Sequence, residues 1–199
     1  MVDMLRAGCF EKLCDVQCFD LKAVESIRTD PRHREISAFE YASPKNPDAW
    51  VNSLDAVILG ATEIDTDFNV NVHTDSTGTI MGGSGGHSDT AAGAKLAMVI
   101  APLFRARQPI ITDRVSCVST PGKDIDVFVS QYGIAVNPKN EELCDRLVSA
   151  HMPIVPIEEL KARAESLCGT PEKLSHGEKA VAEVISRDGS LLDTIYQKI

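Results

Sequence analysis

The chain has 199 residues, 43% of them hydrophobic, 25% charged and 5% aromatic, which is enough length for one or two domains around a substantial apolar core. Twenty Lys and Arg against 29 Asp and Glu leave a formal charge of −9. The mean field therefore repels nucleic acid and anionic membranes, neither is expected as a partner, and an anionic ligand has to be received by local donors.

The elements follow in chain order. Residues 2–22 carry Val2, Leu5, Cys9, Leu13 and Val16 at mainly helical spacing, with a break at Gly8. The charges mixed into this opening match neither a signal peptide nor a transit sequence, and the longest apolar run, residues 96–104, is cut by Pro102 before it reaches spanning length. Cys9, Cys14, Cys18, Cys117, Cys144 and Cys168 contain no Cys-x-x-Cys pair and read as reduced thiols, which places the protein in the cytoplasm. Residues 30–50, with Pro31, Pro44 and Pro47, read as a surface loop. Residues 54–60 are almost continuously apolar, the pattern of a strand covered on both faces. Residues 68–72 alternate, predicting a half-buried strand with Asn69 and Asn71 opposite the valines.

A glycine-rich stretch then empties into a small-residue helix after Thr90. Further strands are expected at residues 98–100, 110–118, 126–129 and 134–136, and peripheral helices at 140–148, capped by Asn140, and at 156–164. Residues 180–185 and 191–196 read as a β-hairpin across the Asp188-Gly189 turn. Interleaved strands and helices predict an α/β fold with a mixed, mostly parallel sheet flanked by helices, and residues 1–199 read as a single domain.

Gly82, Gly83, Gly85 and Gly86 lie within five residues. They leave N–H groups unshielded, suited to a phosphate, a carboxylate or the oxyanion of an acyl transfer, although a plain flexible turn has the same composition. The stretch is neither a dinucleotide fingerprint nor a Walker loop. Glu63, Asp65 and Asp67 fall at every second position; they can bind a hard cation or do acid–base work, a solvated edge being the commoner outcome. His73 and His87 each stand two residues before an aspartate, Asp75 and Asp89, which can orient an imidazole. No recognised ligand spacing is present and no metal is expected. His33, His151 and His176 read as surface residues, and Cys117 as an inert buried thiol.

The stretches Gly60-Ala61-Thr62-Glu63-Ile64-Asp65, Phe68-Asn69-Val70-Asn71-Val72 and Gly83-Ser84-Gly85-Gly86-His87-Ser88-Asp89-Thr90-Ala91 resemble the citrate lyase alpha chain family. Leu13 to Asp20, Ile100 to Leu103, Thr120-Pro121-Gly122 and Gly133 to Pro138 extend the likeness over essentially the whole chain. More distantly the pattern is similar to acetyl-CoA hydrolases and other CoA-transferases. The resemblance implies a CoA-transferase-like fold and an acyl-carrier transferase, in which citrate displaces acetate from an acetyl-carrier thioester. It implies a beta chain that cleaves citryl-carrier and a gamma chain that is the acyl carrier protein, bearing a phosphopantetheine-type thioester, with no cofactor bound covalently here.

Carried over, the catalytic backbone is that of Gly83, Gly85 and Gly86, with Ser84, facing the thioester carbonyl or a substrate carboxylate. His87 and Ser88 would position the carboxylate, while Glu63, Asn69, Asn71 and Asp89 would shape the loops that bind substrate and thioester. Lys95, Arg105, Arg107 and Arg114 are the nearest cations in sequence. The family's chain is longer, and the match falls on its later part with Met1 at an internal position. The expectation is therefore a truncated or split alpha chain, a near-complete C-terminal domain without the N-terminal half and its catalytic glutamate. Alternatives are a hydrolase or transferase of free CoA thioesters, a citramalate lyase alpha chain, or a non-catalytic scaffold of the complex.

Overall fold

Residues 1–171 and 174–199 are described by the computed structural model, in which the chain separates into a unit of residues 1–52 and a unit of residues 53–199. The first unit contains α1 (Val2–Arg6), β1 (Leu13–Asp15), α2 (Leu21–Thr29), β2 (His33–Glu35) and α3 (Ala38–Ala42). β1 and β2 pair in parallel, and α2 crosses between them, its first turn capped by the Asp20 carboxylate accepting from Ala23 N–H at 2.7 Å. Val2, Leu5, Leu13 and Ala23 form its small core, with Phe10 and Cys18 against it. The helix expected through residue 22 ends at Arg6, and Gly8, at φ 74°, turns the chain in the left-handed region. The expected loop at 30–50 holds β2 and α3. Ser37 and Glu40 make a reciprocal capping box that starts α3, a short-range signal that the prolines around it obscured.

In the second unit β3 (Val57–Leu59), β4 (Glu63–Asp65), β5 (Val70–Asn71), α4 (His87–Gly93), β6 (Ala97–Ile100), β7 (Phe104–Arg105), β8 (Gln108–Pro109) and β9 (Ile111–Thr112) are followed by β10 (Val127–Ser130), β11 (Gly133–Val136), α5 (Glu141–Ser149), α6 (Ile157–Cys168), β12 (His176–Ile185) and β13 (Leu191–Lys198). A four-stranded sheet runs β11-β10-β6-β3, parallel except for β11, and a three-stranded sheet runs β5-β4-β9. This mixture of mostly parallel sheets and helices is the α/β class expected. Ala97, Val99, Phe128 and Ala135 line the buried face of the first sheet, where Ile157, Leu160 and Ala164 of α6 join the same core. α6 is thus a core helix rather than a peripheral one. α5 carries no buried residue, and Asn140 turns its side chain to Asp126 instead of capping.

Other expectations shift. β3 is an edge strand with Ile58 65% exposed, so it is covered on one face only. The strand expected at 110–118 contracts to β9. Phe68 sits at φ 64° inside a turn closed by its N–H to Asp65 C=O, so the ladder begins only at Val70, and Asn71 is more buried than Val72. The C-terminal hairpin is present and longer than read from the sequence. Gly189 takes φ 86° and donates to Ser186 C=O while Asp188 stays at negative φ, a turn with a left-handed closing residue rather than a type I′ pair.

Among the described residues no helix is long and apolar enough to cross a membrane.

Candidate functional site

Glu63 and Asp65 lie on β4, between β5 and β9, and both are buried, at 3% and 1% exposure. Of the three carboxylates only Asp67 stays exposed as a solvated edge would have it, because the fold brings donors to Glu63 and Asp65. Glu63 accepts from Asn71 Nδ2, Ser116 N–H and Ser116 Oγ. Asp65 accepts from the N–H groups of Asp67, Asn69 and Val115 and from Asn69 Nδ2. Burial still pushes the Asp65 carboxyl up, against the pull of the Asn69 donors. Asn69 Oδ1 takes the Gly122 N–H at 2.8 Å, and Asn71 Oδ1 takes those of His73 and Thr74. The four residues form a polar scaffold in which every amide and carboxylate group is hydrogen-bonded, three of the residues being buried and Asn69 half-buried.

That scaffold carries the ends of the glycine loop. The segment Ser119-Thr120 is zipped to Val70 by backbone bonds, and its consecutive hydroxyls each hold one imidazole. Ser119 Oγ accepts from Val72 N–H and meets His73 Nδ1; Thr120 Oγ1 meets His87 Nδ1 at 2.7 Å. Gly60 C=O, at the C-terminal end of β3, lies 2.8 Å from His87 Nε2. A carbonyl can only accept, so His87 carries its proton on Nε2 and accepts from Thr120 at Nδ1. At His73 no carbonyl fixes which atom donates in the contact between Nδ1 and the Ser119 hydroxyl, and His73 Nε2 has no hydrogen-bond partner among the described residues. Burial holds both imidazoles below the usual range, and at His87 the neighbouring His73 adds to the effect. Both are neutral at pH 7.

Between these anchors runs the loop. Met81 N–H donates to His73 C=O, and His87 N–H to Ser84 C=O, closing a turn with Gly85 at φ 56°. The left-handed Gly85 explains that glycine; Cβ atoms at Gly82, Gly83 and Gly85 would meet nothing within 4 Å, so the others are open rather than crowded. Among the described residues the N–H groups of Gly82, Gly83, Ser84, Gly85 and Gly86 have no hydrogen-bond partner. The loop ends at His87, which meets Gly60 C=O just beyond the C-terminal end of parallel strand β3, the side on which open α/β sheets take ligands.

Ser88 and Asp89 lie in the first turn of α4. Asp89 does not orient His87. It faces Arg187 of the hairpin, Oδ1 to Nε at 3.6 Å, and burial pushes its carboxyl up against that cation. Asp75 likewise leaves His73 alone and ties its own turn through Thr77 and Thr79. Of the nearby cations expected from sequence, Lys95 is exposed and paired with Asp55 at 2.7 Å, and Arg105, Arg107 and Arg114 are exposed. Cys117 is fully buried with its thiol pushed up to about 12, mainly by burial. Ser119, Thr120 and Arg187 were missed as site residues, and His73 was paired with Asp75 instead of Ser119. The Ser-Thr pair gave no signal by itself, and Arg187 is 98 residues from its partner.

The family model "Citrate lyase, alpha subunit (CitF)" matches residues 1–198. Citrate lyase alpha chains of Haemophilus influenzae and Escherichia coli K12 are 48% and 46% identical over 99% of this chain, which spans 39% of their length. A solved Streptococcus mutans structure, described as an alpha subunit of citrate lyase in complex with citrate, is 44% identical with a TM-score of 0.95, covering 100% of this chain and 39% of that one. RipA from Yersinia pestis, at 18% identity and a TM-score of 0.50 over 83% of this chain and 41% of its own, shares the fold alone. The chain belongs to the citrate lyase alpha subunit family.

Proposed function

We propose that this chain provides the thioester-binding part of an acyl-carrier transferase, in which citrate takes the place of acetate on a carrier thioester within an assembly that includes beta and gamma chains. The observation that carries the reading is the row of unpartnered amides from Gly82 to Gly86, anchored at both ends on Ser119 and Thr120. A citrate carboxylate oxygen bonds to the acetyl carbonyl carbon, the carbonyl electron pair moves onto its oxygen, and the C–S bond then breaks to give a mixed anhydride and the carrier thiolate. That thiolate attacks the citryl carbonyl and acetate leaves. The attacking carboxylate is ionised at neutral pH, so no base is needed to make it.

The step needs donors at the developing oxyanion. The amides of Gly83, Ser84, Gly85 and Gly86 supply them, each worth on the order of 3 kcal/mol when aligned. With the Ser119 hydroxyl donating to His73 Nδ1, His73 Nε2–H joins the Ser88 hydroxyl as a side-chain donor for a citrate carboxylate. His87 positions the loop with both ring nitrogens engaged, Glu63, Asn69 and Asn71 hold the strand beneath it, and Asp89 fixes α4 against Arg187. The phosphopantetheine-type thioester belongs to the gamma chain, and the setting is cytoplasmic.

The test is exchange of labelled acetate from acetyl-carrier on adding citrate, with this chain combined with the remaining part of a relative's alpha chain. Gly86 lies at φ −84°, near the proline range, and its N–H bonds to nothing among the described residues, so Gly86→Pro deletes one donor and none of the hydrogen bonds described. Exchange should fall about 100-fold or more at unchanged melting temperature. Full exchange by Gly86→Pro would remove the oxyanion role. Acetyl-CoA outperforming acetyl-carrier would favour a free-thioester enzyme, and citramalate outperforming citrate a citramalate lyase chain.

A further inference from the structure

Unit 1 carries its own cluster of ligand-type side chains. In the parallel β1–β2 ladder Leu13 pairs with His33 and Asp15 with Glu35, so Asp15 and His33 share a face, and the turn after β1 returns Cys18 to it. His33 Nε2 lies 3.1 Å from Asp15 Oδ2, and Cys18 Sγ lies 3.7 Å from the same oxygen. All three donor atoms fall within 4.8 Å of one another. The surface position expected for His33 is overturned: its side chain is fully buried against Asp15, whose own side chain is 24% exposed. Among the described residues His33 Nδ1 has no hydrogen-bond partner, nor has Ser26 Oγ on α2, the helix packed against β2.

We infer that Asp15, Cys18 and His33 form a binding site for a divalent transition metal, zinc by the chemistry of the set. Thiolate, imidazole and carboxylate are the donors zinc takes, and bonds of about 2.0 to 2.3 Å in a tetrahedron hold the donor atoms about 3.3 to 3.6 Å apart. The observed separations of 3.1 and 3.7 Å approximate two edges of that figure, both meeting at Asp15 Oδ2, and the third, from Cys18 to His33, lies within 4.8 Å, so binding draws these two side chains towards one another. On binding, Cys18 loses its S–H proton to solvent, the sulfur electron pair goes to the metal, and Asp15 exchanges the thiol for the ion. Carboxylate and thiolate together match the dication's charge, and Asp20 and Glu35 add negative field at Cys18. Buried His33 fixes one ligand, while the partly exposed Asp15 and Cys18 leave an entry path and a fourth position for water. The spacing 15, 18, 33 matches no common zinc motif, since a strand pairing rather than a knuckle assembles it.

The metal-free 199-residue chain titrated with cobalt(II) chloride should bind one equivalent, with thiolate charge-transfer absorption and tetrahedral visible bands, and zinc chloride should displace it. Cys18→Ser should abolish the thiolate absorption and weaken zinc binding more than ~10-fold, whereas Cys9→Ser, Cys14→Ser, Cys144→Ser and Cys168→Ser leave both unchanged. Absence of the band in the wild type, or its loss in any of those four instead, overturns the site. Independently of any variant's folding, zinc should protect Cys18 of the wild type from iodoacetamide in peptide mapping. Equal alkylation with and without zinc overturns it too.

Discussion

Gly122→Ala isolates how the polar scaffold is packed. A Cβ at this position would stand 1.9 Å from Asp67 O, 2.9 Å from Phe68 C and 3.0 Å from Asn69 N, all backbone atoms with no flexible side chain to yield. Restoring contact moves the 67–69 turn by roughly 1 Å, about what a close-packed interior cannot absorb without losing contacts. That turn is held by Asp65 accepting from Asp67 and Asn69, and by Gly122 N–H donating to Asn69 Oδ1. Losing two such bonds around a buried carboxylate costs about 3 to 6 kcal/mol. That is a large part of the ~5 to 15 kcal/mol by which a domain is stable. For a unit of this size the melting temperature should drop roughly 10 °C or more, read by circular dichroism. Gly85→Ala is the control: its Cβ meets nothing, and only the left-handed φ of 56° opposes it, a cost of ~1 to 2 kcal/mol. A Gly122→Ala protein as stable as Gly85→Ala would refute the packing around Asn69.

Asn71→Leu keeps the volume but strips Glu63 of one donor and orphans the His73 and Thr74 amides; denaturant unfolding should show a loss of about 2 to 5 kcal/mol, and a neutral result would contradict the buried network. His73 and His87 have folded pKa values held below the ordinary 6.5, so the unfolded chain binds more protons just below that value. Their contribution is complete above about pH 6.5 and is lost as pH falls through the window beneath it. Asp65, raised by burial, has the opposite sign, favouring the fold as pH falls towards its ordinary range. Melting scans between pH 5 and 8 should show a smaller slope in His73→Gln than in the wild type, and an identical slope would contradict the assignment. Cys117, buried with its thiol pushed up to about 12, should resist iodoacetamide at pH 8 while exposed Cys9 reacts; modification of both at one rate would show the hairpin opening readily.

The glycine loop, its exit into α4 and the hairpin were legible because their signals are local: four small residues together, and two alternating runs flanking a turn. The buried state of Glu63 and Asp65 was not legible. Alternation placed the two carboxylates on one face but could not announce that Ser116 and Val115, about 50 residues on, would deliver amides to them. The same long-range pairing turned Asn71 from a solvent-facing residue into a fully buried one. His33 read as surface because its neighbours are charged; only the parallel ladder seats it on Asp15. Each histidine read as paired with an aspartate two residues away is instead held by a hydroxyl 33 to 46 residues away, His73 by Ser119 and His87 by Thr120.

The most direct measurement of the oxyanion role is an amide spectrum of the chain labelled with 15N-glycine, titrated with citrate and with an S-acetyl pantetheine probe. Thirteen glycines are few enough to assign by substitution. The resonances of Gly83, Gly85 and Gly86 should move downfield and saturate while Gly8, Gly169 and Gly189 stay still. Silent loop amides at saturating ligand, with shifts confined to other glycines or none at all, would contradict the claim that this bare backbone receives the substrate's oxygen.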